Sequence, residues 1–250
     1  MVQPLETTPE IKYPDSDGQP MADNTKQFRW IVTVKENLEL LFIDRLDVFV
    51  AGDLLWYPVE GNNTIRQAPD AMVVFGRPKG DRGSYMQWKE DNIPAQVVFE
   101  ILSPGNRLRD TAKKYQFYNL YGVEEYYVYD PDDNELIGWI RRNGFLDVIE
   151  EMSGWTSPQL SIRFELTDTT LEIYRSDGER FLSFTELGQR ADQERQRAEQ
   201  ERQRANQEQQ RAEQERQRAD AAANQLILER QRNEALVAEL RRLGIDPDQL

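Results

Sequence analysis

The sequence lacks cysteine and histidine, two residue types on which many enzymes depend. Without cysteine the chain has no disulfide and no thiolate zinc site, so nothing in it calls for an oxidising compartment. Without histidine, Ser-His-Asp and Cys-His catalysis, histidine metal ligands and histidine acid–base chemistry are excluded. Any catalysis must therefore rest on carboxylates, Lys, Tyr, Ser or Thr, ligands and groups that suit an oxygen-binding cation such as magnesium.

Long apolar runs are also missing. No stretch approaches the roughly 20 apolar residues of a membrane-spanning helix. The first 20 residues are polar and contain prolines, unlike a secretory signal. We therefore expect a cytoplasmic protein with no membrane partner.

Positive charge is in deficit. The formal net charge is −14, and residues 1–188 hold 19 Lys and Arg against 32 Asp and Glu, a net −13. The remaining residues hold 12 against 13, a net −1. Such an acidic globular part does not indicate a general polyanion binder, so contact with nucleic acid would need a local basic patch.

Composition changes along the chain predict four segments. Residues 1–24, with scattered charges and four prolines, predict a disordered N-terminal arm. Residues 25–187 predict the globular domain, residues 188–244 a long charged helix or coiled coil, and residues 245–250 a short tail.

The globular segment reads as an α/β or α+β sheet flanked by helices. The spacing of apolar residues predicts one helix that begins at Thr25. A second helix is predicted over residues 108–121. Residues 95–102 are apolar on both faces apart from Glu100, which predicts a central strand. Further strands are predicted at 47–52, 54–58, 66–75, 125–130, 135–142, 145–150 and 170–174, with a long polar loop at 76–92.

The predicted segment 188–244 repeats alanine every seven residues and then continues the same heptad pattern with leucines. Glu and Arg at helical spacing support one long helix. One alanine per heptad is a weak seam, so the Leu-rich end is the candidate association point, through which a homodimer would form. A dimeric coiled coil and a single solvated helix both remain open. The residues in register are Ala191, Ala198, Ala205, Ala212, Ala219, Ala222, Leu226, Leu236, Leu240 and Leu243.

Two carboxylates stand beside apolar sequence, Asp70 at the mouth of one predicted strand and Glu100 inside the central one. An ionised carboxylate among apolar neighbours is costly unless a cation, a metal or hydrogen bonds compensate it. Each also has a structural explanation. Asp70 follows a proline and fits an Asx turn, whereas Glu100 fits a buried ion pair with Lys113, Lys114 or Arg109.

A lysine near Glu100 must come from elsewhere in the chain. Position 102 faces the same side of the strand as Glu100, but it is a leucine. On the next predicted helix Lys114 shares a face with Tyr118 and Tyr121, which directs it inward. Spacing therefore favours Lys114 over Lys113, although a shift of one residue would reverse the choice.

Basic residues cluster in the predicted loop 76–92. Four of them lie close to Tyr85 and Trp88, a pattern that fits contact with a phosphate backbone: Arg77, Lys79, Arg82 and Lys89. A solvated loop with an aromatic anchor explains it equally well. Further candidates for contact with nucleic acid are Arg107 and Lys113.

An ordered set of these residues resembles the Uma-two family, part of the PD-(D/E)XK nuclease superfamily. The set comprises Pro69-Asp70, Phe99-Glu100-Ile101-Leu102-Ser103-Pro104, Asp110 with Lys114 and Tyr118, and Gly122-Val123-Glu124-Glu125-Tyr126. The resemblance covers about residues 25 to 187. The Ala-Gln-Arg tail is also similar to members common in cyanobacteria.

The resemblance implies a restriction-endonuclease-like central mixed sheet flanked by helices, and a Mg²⁺- or Mn²⁺-dependent endonuclease acting on DNA. Asp70, Glu100 and the Ile101 carbonyl would ligate the ion, and Lys114 would orient the attacking water or neutralise the phosphate oxygens. The departure at Leu102 matches a displaced lysine seen in the family.

Alternatives to that implied activity are open as well. Asp53 and Glu36 are weaker candidates for a further acidic ligand. A catalytically inactive nucleic-acid-binding protein or a protein-interaction scaffold is the alternative function, since fold alone does not establish activity.

Overall fold

The computed structural model describes residues 11–105 and 108–244. The predicted tail 245–250, the first ten residues of the predicted arm, and Arg107 lie outside the described residues. The chain divides into two compact units, Met1–Glu186 and Leu187–Leu250. The boundaries of the four predicted segments stay predictions.

The described residues of the first unit form two long helices and ten strands, and a third helix begins at its end. The helices are α1 (Thr25–Leu41), α2 (Leu108–Leu120) and α3 (Phe184–Arg242). The strands are β1 (Val48–Ala51), β2 (Trp56–Tyr57), β3 (Ala71–Phe75), β4 (Tyr85–Met86), β5 (Val97–Ile101), β6 (Glu125–Asp130), β7 (Glu135–Arg142), β8 (Phe145–Val148), β9 (Arg163–Leu166) and β10 (Leu171–Tyr174).

Six strands form one mixed sheet in the order β1-β3-β5-β6-β7-β8. Only the β5–β6 pair is parallel, because α2 crosses between these two strands. The other neighbours are antiparallel. The prediction of a central mixed sheet flanked by helices and followed by a long C-terminal helix is confirmed.

Side chains from alternate positions of the central strands enter two cores, one on each face of the sheet. Val97, Phe99 and Ile101 of β5 join the α1 face, together with the β9–β10 hairpin. Val98 joins the α2 face, where Tyr118 packs. Burial on both faces explains why β5 is almost continuously apolar.

Helix α1 begins at Thr25, as predicted, and Asn24 is its N-cap. The Asn24 side chain accepts hydrogen bonds from the backbone N–H groups of Lys26 and Gln27, both at 2.9 Å. Its buried stripe, Gln27, Ile31, Val34 and Leu38, faces the sheet at helical spacing.

The observed strands differ from the predicted ones in three places. Strand β3 begins at Ala71 rather than at residue 66, since Pro69 has no N–H for a ladder hydrogen bond. The predicted loop 76–92 contains β4, paired in parallel with β2, and a short 3₁₀ turn. The hairpin partner β9 was not predicted at all.

Part of the predicted arm, residues 11–24, contacts the fold. Tyr13 packs against the rings of Tyr57 and Trp88, with centroid distances of 5.2 and 4.9 Å. The Tyr57 hydroxyl donates to the Pro14 carbonyl at 2.7 Å. These contacts hold residues 13 and 14 against strand β2 and the loop that contains β4.

Helix α3 begins at Phe184, four residues before the predicted start at 188. Ser183 and Glu186 form a capping box: the Ser183 N–H donates to Glu186 at 2.8 Å, and the Glu186 N–H donates to the Ser183 hydroxyl at 3.3 Å. Within residues 11–105 and 108–244, no helix combines the length and apolar character that spanning a membrane requires.

Glu125, at the start of β6, is the carboxylate most tightly enclosed by donors. It is 1% exposed and accepts hydrogen bonds from the Tyr127 hydroxyl, the Ser157 hydroxyl and the Gln159 N–H. These bonds tie the sheet to the segment before β9. Satisfied buried networks of this kind rigidify a fold.

We expect Glu125→Ala to lower the free energy of unfolding by about 3 kcal/mol, because it leaves buried donors without an acceptor. Urea denaturation measures the change. Glu124→Ala is the matched control: its side chain is 42% exposed and lies 3.8 Å from Arg141, so the loss should stay below about 1 kcal/mol. Equal losses would contradict the assignment.

Candidate active site

Strand register brings Asp70 and Glu100 together. In the antiparallel β3–β5 pair, Ala71 lies opposite Phe99. Continuing the register by one residue places Asp70 opposite Glu100 on the α2 face of the sheet. Directly opposite residues of this kind have Cβ atoms about 5 Å apart. Two acidic groups therefore converge at the end of β5.

Helix α2 supplies the groups that compensate Glu100. Glu100 is 2% exposed. The Lys114 ammonium donates to Glu100 Oε2 at 2.5 Å, and the Tyr118 hydroxyl donates to Oε1 at 2.5 Å. Lys114 and Tyr118 are four residues apart, so one face of the helix presents both. The expectation that Lys114 points inward agrees with this contact.

Asp70 has a different environment. Its Oδ2 accepts a hydrogen bond from the Ile101 N–H at 2.6 Å, and no other hydrogen bond to its carboxylate comes from a described residue. The side chain is largely buried. One of its oxygens thus remains available for a cation or a ligand.

The pKa values follow from burial and from the excess of negative charge. Burial raises the pKa of Asp70 well above its usual range, Glu100 raises it further, and Lys114 opposes the shift. Burial lowers the pKa of Lys114, but Glu100 and Asp70 outweigh this and leave it raised. Burial and Glu100 also raise the pKa of Tyr118. Lys114 is therefore an ammonium ion at neutral pH, and Tyr118 a neutral donor.

Asp70 and Lys114 line a pocket of about 180 Å³. Asp53 and Gln27 line it too, and residues 17 and 19–23 of the N-terminal segment complete its wall. Glu100 does not line this pocket. The pocket is acidic, since Asp17, Asp23, Asp53 and Asp70 outnumber the single lysine.

The two weaker acidic candidates lie in different places. Asp53 is at the pocket, and partial burial together with Asp17 raises its pKa. Glu36 is 58% exposed and pairs with Lys35. Among residues 11–105 and 108–244, no group of three or more Asp, Glu, His or Cys side chains is arranged to hold a metal ion.

The donor set nevertheless fits a divalent cation. Mg²⁺ is commonly held by one or two carboxylates, with substrate phosphates and waters as the other ligands. Asp70 has an oxygen without a hydrogen bond, and each Glu100 oxygen keeps a lone pair after its one bond. Two carboxylates face one ammonium ion, so a cation would balance the remaining charge.

Three of the four basic residues of the loop 76–92 have acidic partners. Arg77 contacts Glu90 and Asp91, Arg82 contacts Glu90, and Lys79 contacts Glu39. These pairs reduce the positive charge that the loop offers to a phosphate backbone. Lys113 is 59% exposed, 4.0 Å from Asp110, and is the least engaged of the described candidates.

Sequence reasoning missed Gln27 and the role of Tyr118. Tyr118 was predicted to share the inward face of Lys114, but the hydrogen bond from its hydroxyl to Glu100 was not predicted. Gln27 donates from Nε2 to the Ile101 carbonyl at 2.8 Å. Only its place at the end of an otherwise apolar stripe marks it in the sequence.

A mixed sheet with helices on both faces and a carboxylate pair at a strand end is the architecture expected of a restriction-endonuclease-like protein. Residues 3–172 match the Uma2 family, described as "Putative restriction endonuclease". The match spans more than half of the chain, and the chain belongs to this family. The resemblance found in the sequence is confirmed, and the family description indicates a nuclease as the general class.

Other similarities of the chain do not indicate a function. Residues 166–239 match a family described as "Helicobacter pylori protein of unknown function (DUF874)". No curated protein matches the chain. A solved structure, a putative nuclease belonging to DUF820 from Anabaena variabilis ATCC 29413, is 13% identical with a TM-score of 0.40. That similarity covers 53% of this chain and 73% of the other.

We expect Asp70→Asn to raise the free energy of unfolding at neutral pH in metal-free buffer, by up to about 1 kcal/mol, because it removes a like charge opposite Glu100. The folded-state pKa of Asp70 is raised, so its ionisation opposes folding. The gain should therefore be absent in acid and grow as the pH rises through that pKa. Urea denaturation across a pH series measures it.

Asp47→Asn is the control for this series. Arg45 lowers the pKa of Asp47 through a hydrogen bond, so the Asp47 carboxylate supports the fold and that support is lost as the pH falls. The Asp47 variant should gain no stability at neutral pH. A loss of stability in Asp70→Asn at neutral pH would count against the like-charge interpretation.

Proposed function

We propose that the chain is a metal-dependent endonuclease that hydrolyses DNA phosphodiester bonds at the Asp70–Glu100 site. The observation that supports this most directly is the β3–β5 register, which puts two carboxylates opposite each other beside an inward lysine. Membership of a family described as restriction endonucleases supports the same class of reaction. The substrate class, DNA, is part of the proposal.

In this proposal Asp70, Glu100 and the Ile101 carbonyl hold Mg²⁺ or Mn²⁺. Such an ion lowers the pKa of a bound water and stabilises the charge that develops on the phosphate. Asp70 contributes the oxygen that has no hydrogen bond from a described residue. Tyr118 and Lys114 fix the orientation of Glu100 through its two oxygens.

Lys114 acts as a fixed positive charge at the pocket. Its raised pKa keeps the amine protonated, so it donates hydrogen bonds and does not serve as a base. An ammonium ion there orients the attacking water or neutralises phosphate oxygens as charge builds up. Its side chain is 23% exposed, which leaves part of it accessible from the pocket.

We expect wild type to cleave plasmid DNA with Mg²⁺ or Mn²⁺, and Asp70→Asn and Glu100→Gln to lose at least about 100-fold in rate. Losing one charge-stabilising group in an active site commonly costs that much. Lys114→Ala should lose a similar factor. Gel assays of supercoiled, linear and single-stranded DNA measure the rates.

Lys26→Ala is the control, because Lys26 is a half-exposed helical lysine that pairs with Asp132 at 2.8 Å and does not line the pocket. It should retain the wild-type rate. Calorimetric titration with Mn²⁺ adds a readout independent of substrate, and Glu100→Gln should bind the ion more weakly. No cleavage of any DNA with either metal, together with no Mn²⁺ binding, would overturn the proposal in favour of a folded interaction module.

We also propose that the Leu-rich end of α3 associates with a second copy of the chain. Leu226, Leu236 and Leu243 are 61%, 55% and 64% exposed. Leu226 continues the seven-residue spacing of the alanines, and Leu236 and Leu243 fall on the second apolar position of the same heptads. In the preceding repeats, side-chain pairs such as Arg190–Glu194 at 3.3 Å support a solvated helix. Apolar positions in register are what a coiled coil buries.

We expect the full chain to sediment as a dimer at micromolar concentration, and Leu236→Gln with Leu240→Gln to convert it to a monomer. Analytical ultracentrifugation measures the mass. Ala198→Gln with Ala205→Gln makes the same number of changes in the alanine repeats and should leave the dimer intact. A wild-type monomer at all concentrations would favour the single solvated helix.

A further inference from the structure

Gln27 is a buried amide that joins three parts of the first unit. It lies on the first turn of α1 and is 6% exposed. Its Nε2 donates to the Ile101 carbonyl at 2.8 Å, and its Oε1 accepts from the Asp23 N–H at 2.8 Å. Both ends of the amide are therefore used, so the side chain has a fixed orientation.

Ile101 is the residue through which Gln27 meets the candidate site. The Ile101 N–H donates to Asp70 Oδ2 at 2.6 Å, and the Ile101 carbonyl accepts from Gln27. The Asp70 side chain thus binds the N–H of Ile101, and the Gln27 side chain binds its carbonyl. Gln27 and Asp70 also line the same pocket.

The segment before α1 holds Gln27 in turn. The Asp23 carboxylate accepts a hydrogen bond from the Ser103 hydroxyl at 2.6 Å, two residues after Ile101. Asp23, Gln27 and the end of β5 therefore form a closed set of hydrogen bonds. Rotation of the Gln27 amide would break the bond to Ile101 and the bond to Asp23 together.

A carbonyl oxygen has two lone pairs, and a hydrogen bond to one of them fixes the direction of the other. Groups that hydrogen-bond to metal ligands orient those ligands and tune their affinity. A purely structural amide would stabilise the fold without affecting what the Ile101 carbonyl can bind. Asn37 is such a case on the same helix: it bonds the Leu182 backbone at 2.8 and 3.1 Å, and it is absent from the residues that line the pocket.

We propose that Gln27 is a positioning residue that holds the Ile101 carbonyl in the direction required to bind the divalent ion. This inference rests on the proposed function, because it assigns Gln27 to the same ion. Gln27 itself touches neither the ion nor the substrate. It acts through the Ile101 backbone, and the Asp23 segment fixes the amide that does so.

The test is Mn²⁺ titration of the full chain by calorimetry, with Gln27→Met and Gln27→Asn beside wild type. Gln27→Met keeps the size of the side chain without its polar atoms, and Gln27→Asn keeps the amide but is too short to reach both partners. Each should raise the Kd for Mn²⁺ by about 10-fold or more, the effect typical of losing a group that orients a ligand. With DNA, kcat should fall while KM changes little.

Asn37→Leu is the matched control, since it also removes a buried amide of α1. It should lower the unfolding temperature without changing the Kd for Mn²⁺. If folded Gln27→Met and Gln27→Asn bind Mn²⁺ as tightly as wild type, or more tightly, the positioning role is overturned while the proposed function stands. If the wild-type protein binds no Mn²⁺, the positioning role of Gln27 and the proposed metal-dependent function are both overturned.

Discussion

The repulsion between two carboxylates on neighbouring strands is the constraint around which the first unit is arranged. Antiparallel pairing leaves Asp70 and Glu100 opposite each other, and like charges in that position destabilise a sheet. The protein offsets the repulsion locally, with an ammonium ion and a hydroxyl on Glu100 and a backbone N–H on Asp70. A fold under selection for stability alone would place apolar side chains at these positions.

Each face of the sheet contributes differently to this site. On one face, α2 presents Lys114 and Tyr118 to Glu100 and is held there by aromatic packing, with Tyr118 and Tyr126 centroids 4.9 Å apart. On the other face, α1 reaches the end of β5 through Gln27. The groups that hold the carboxylates thus come from rigid, packed elements, and rigid elements keep a functional site in its productive geometry.

Local patterns in the sequence were enough to predict the central strand, both helices of the first unit and the inward lysine. Each of these depends on apolar periodicity within one segment. Strand β9 is only four residues long, and the alternation of Phe164 with Arg163 and Glu165 is too short to distinguish a strand from a loop. Gln27 could not be predicted, because its partner Ile101 is 74 positions away in sequence. The same holds for Lys79, whose partner Glu39 is 40 positions away.

The acidity of the globular segment and the proposed activity on a polyanion are compatible only if positive charge is concentrated at the point of contact. Arg77, Lys79 and Arg82 have acidic partners, so their loop supplies little. Lys114 supplies one charge at the pocket, and it is already shared with Glu100. A divalent ion held by Asp70 and Glu100 would make the net charge of these two carboxylates and Lys114 positive, because the two groups that repel a phosphate most directly would then be ligands of a cation that attracts it. Without the cation a phosphate would meet four carboxylates against the single Lys114 ammonium, so the acidic pocket favours a cation-dependent reaction.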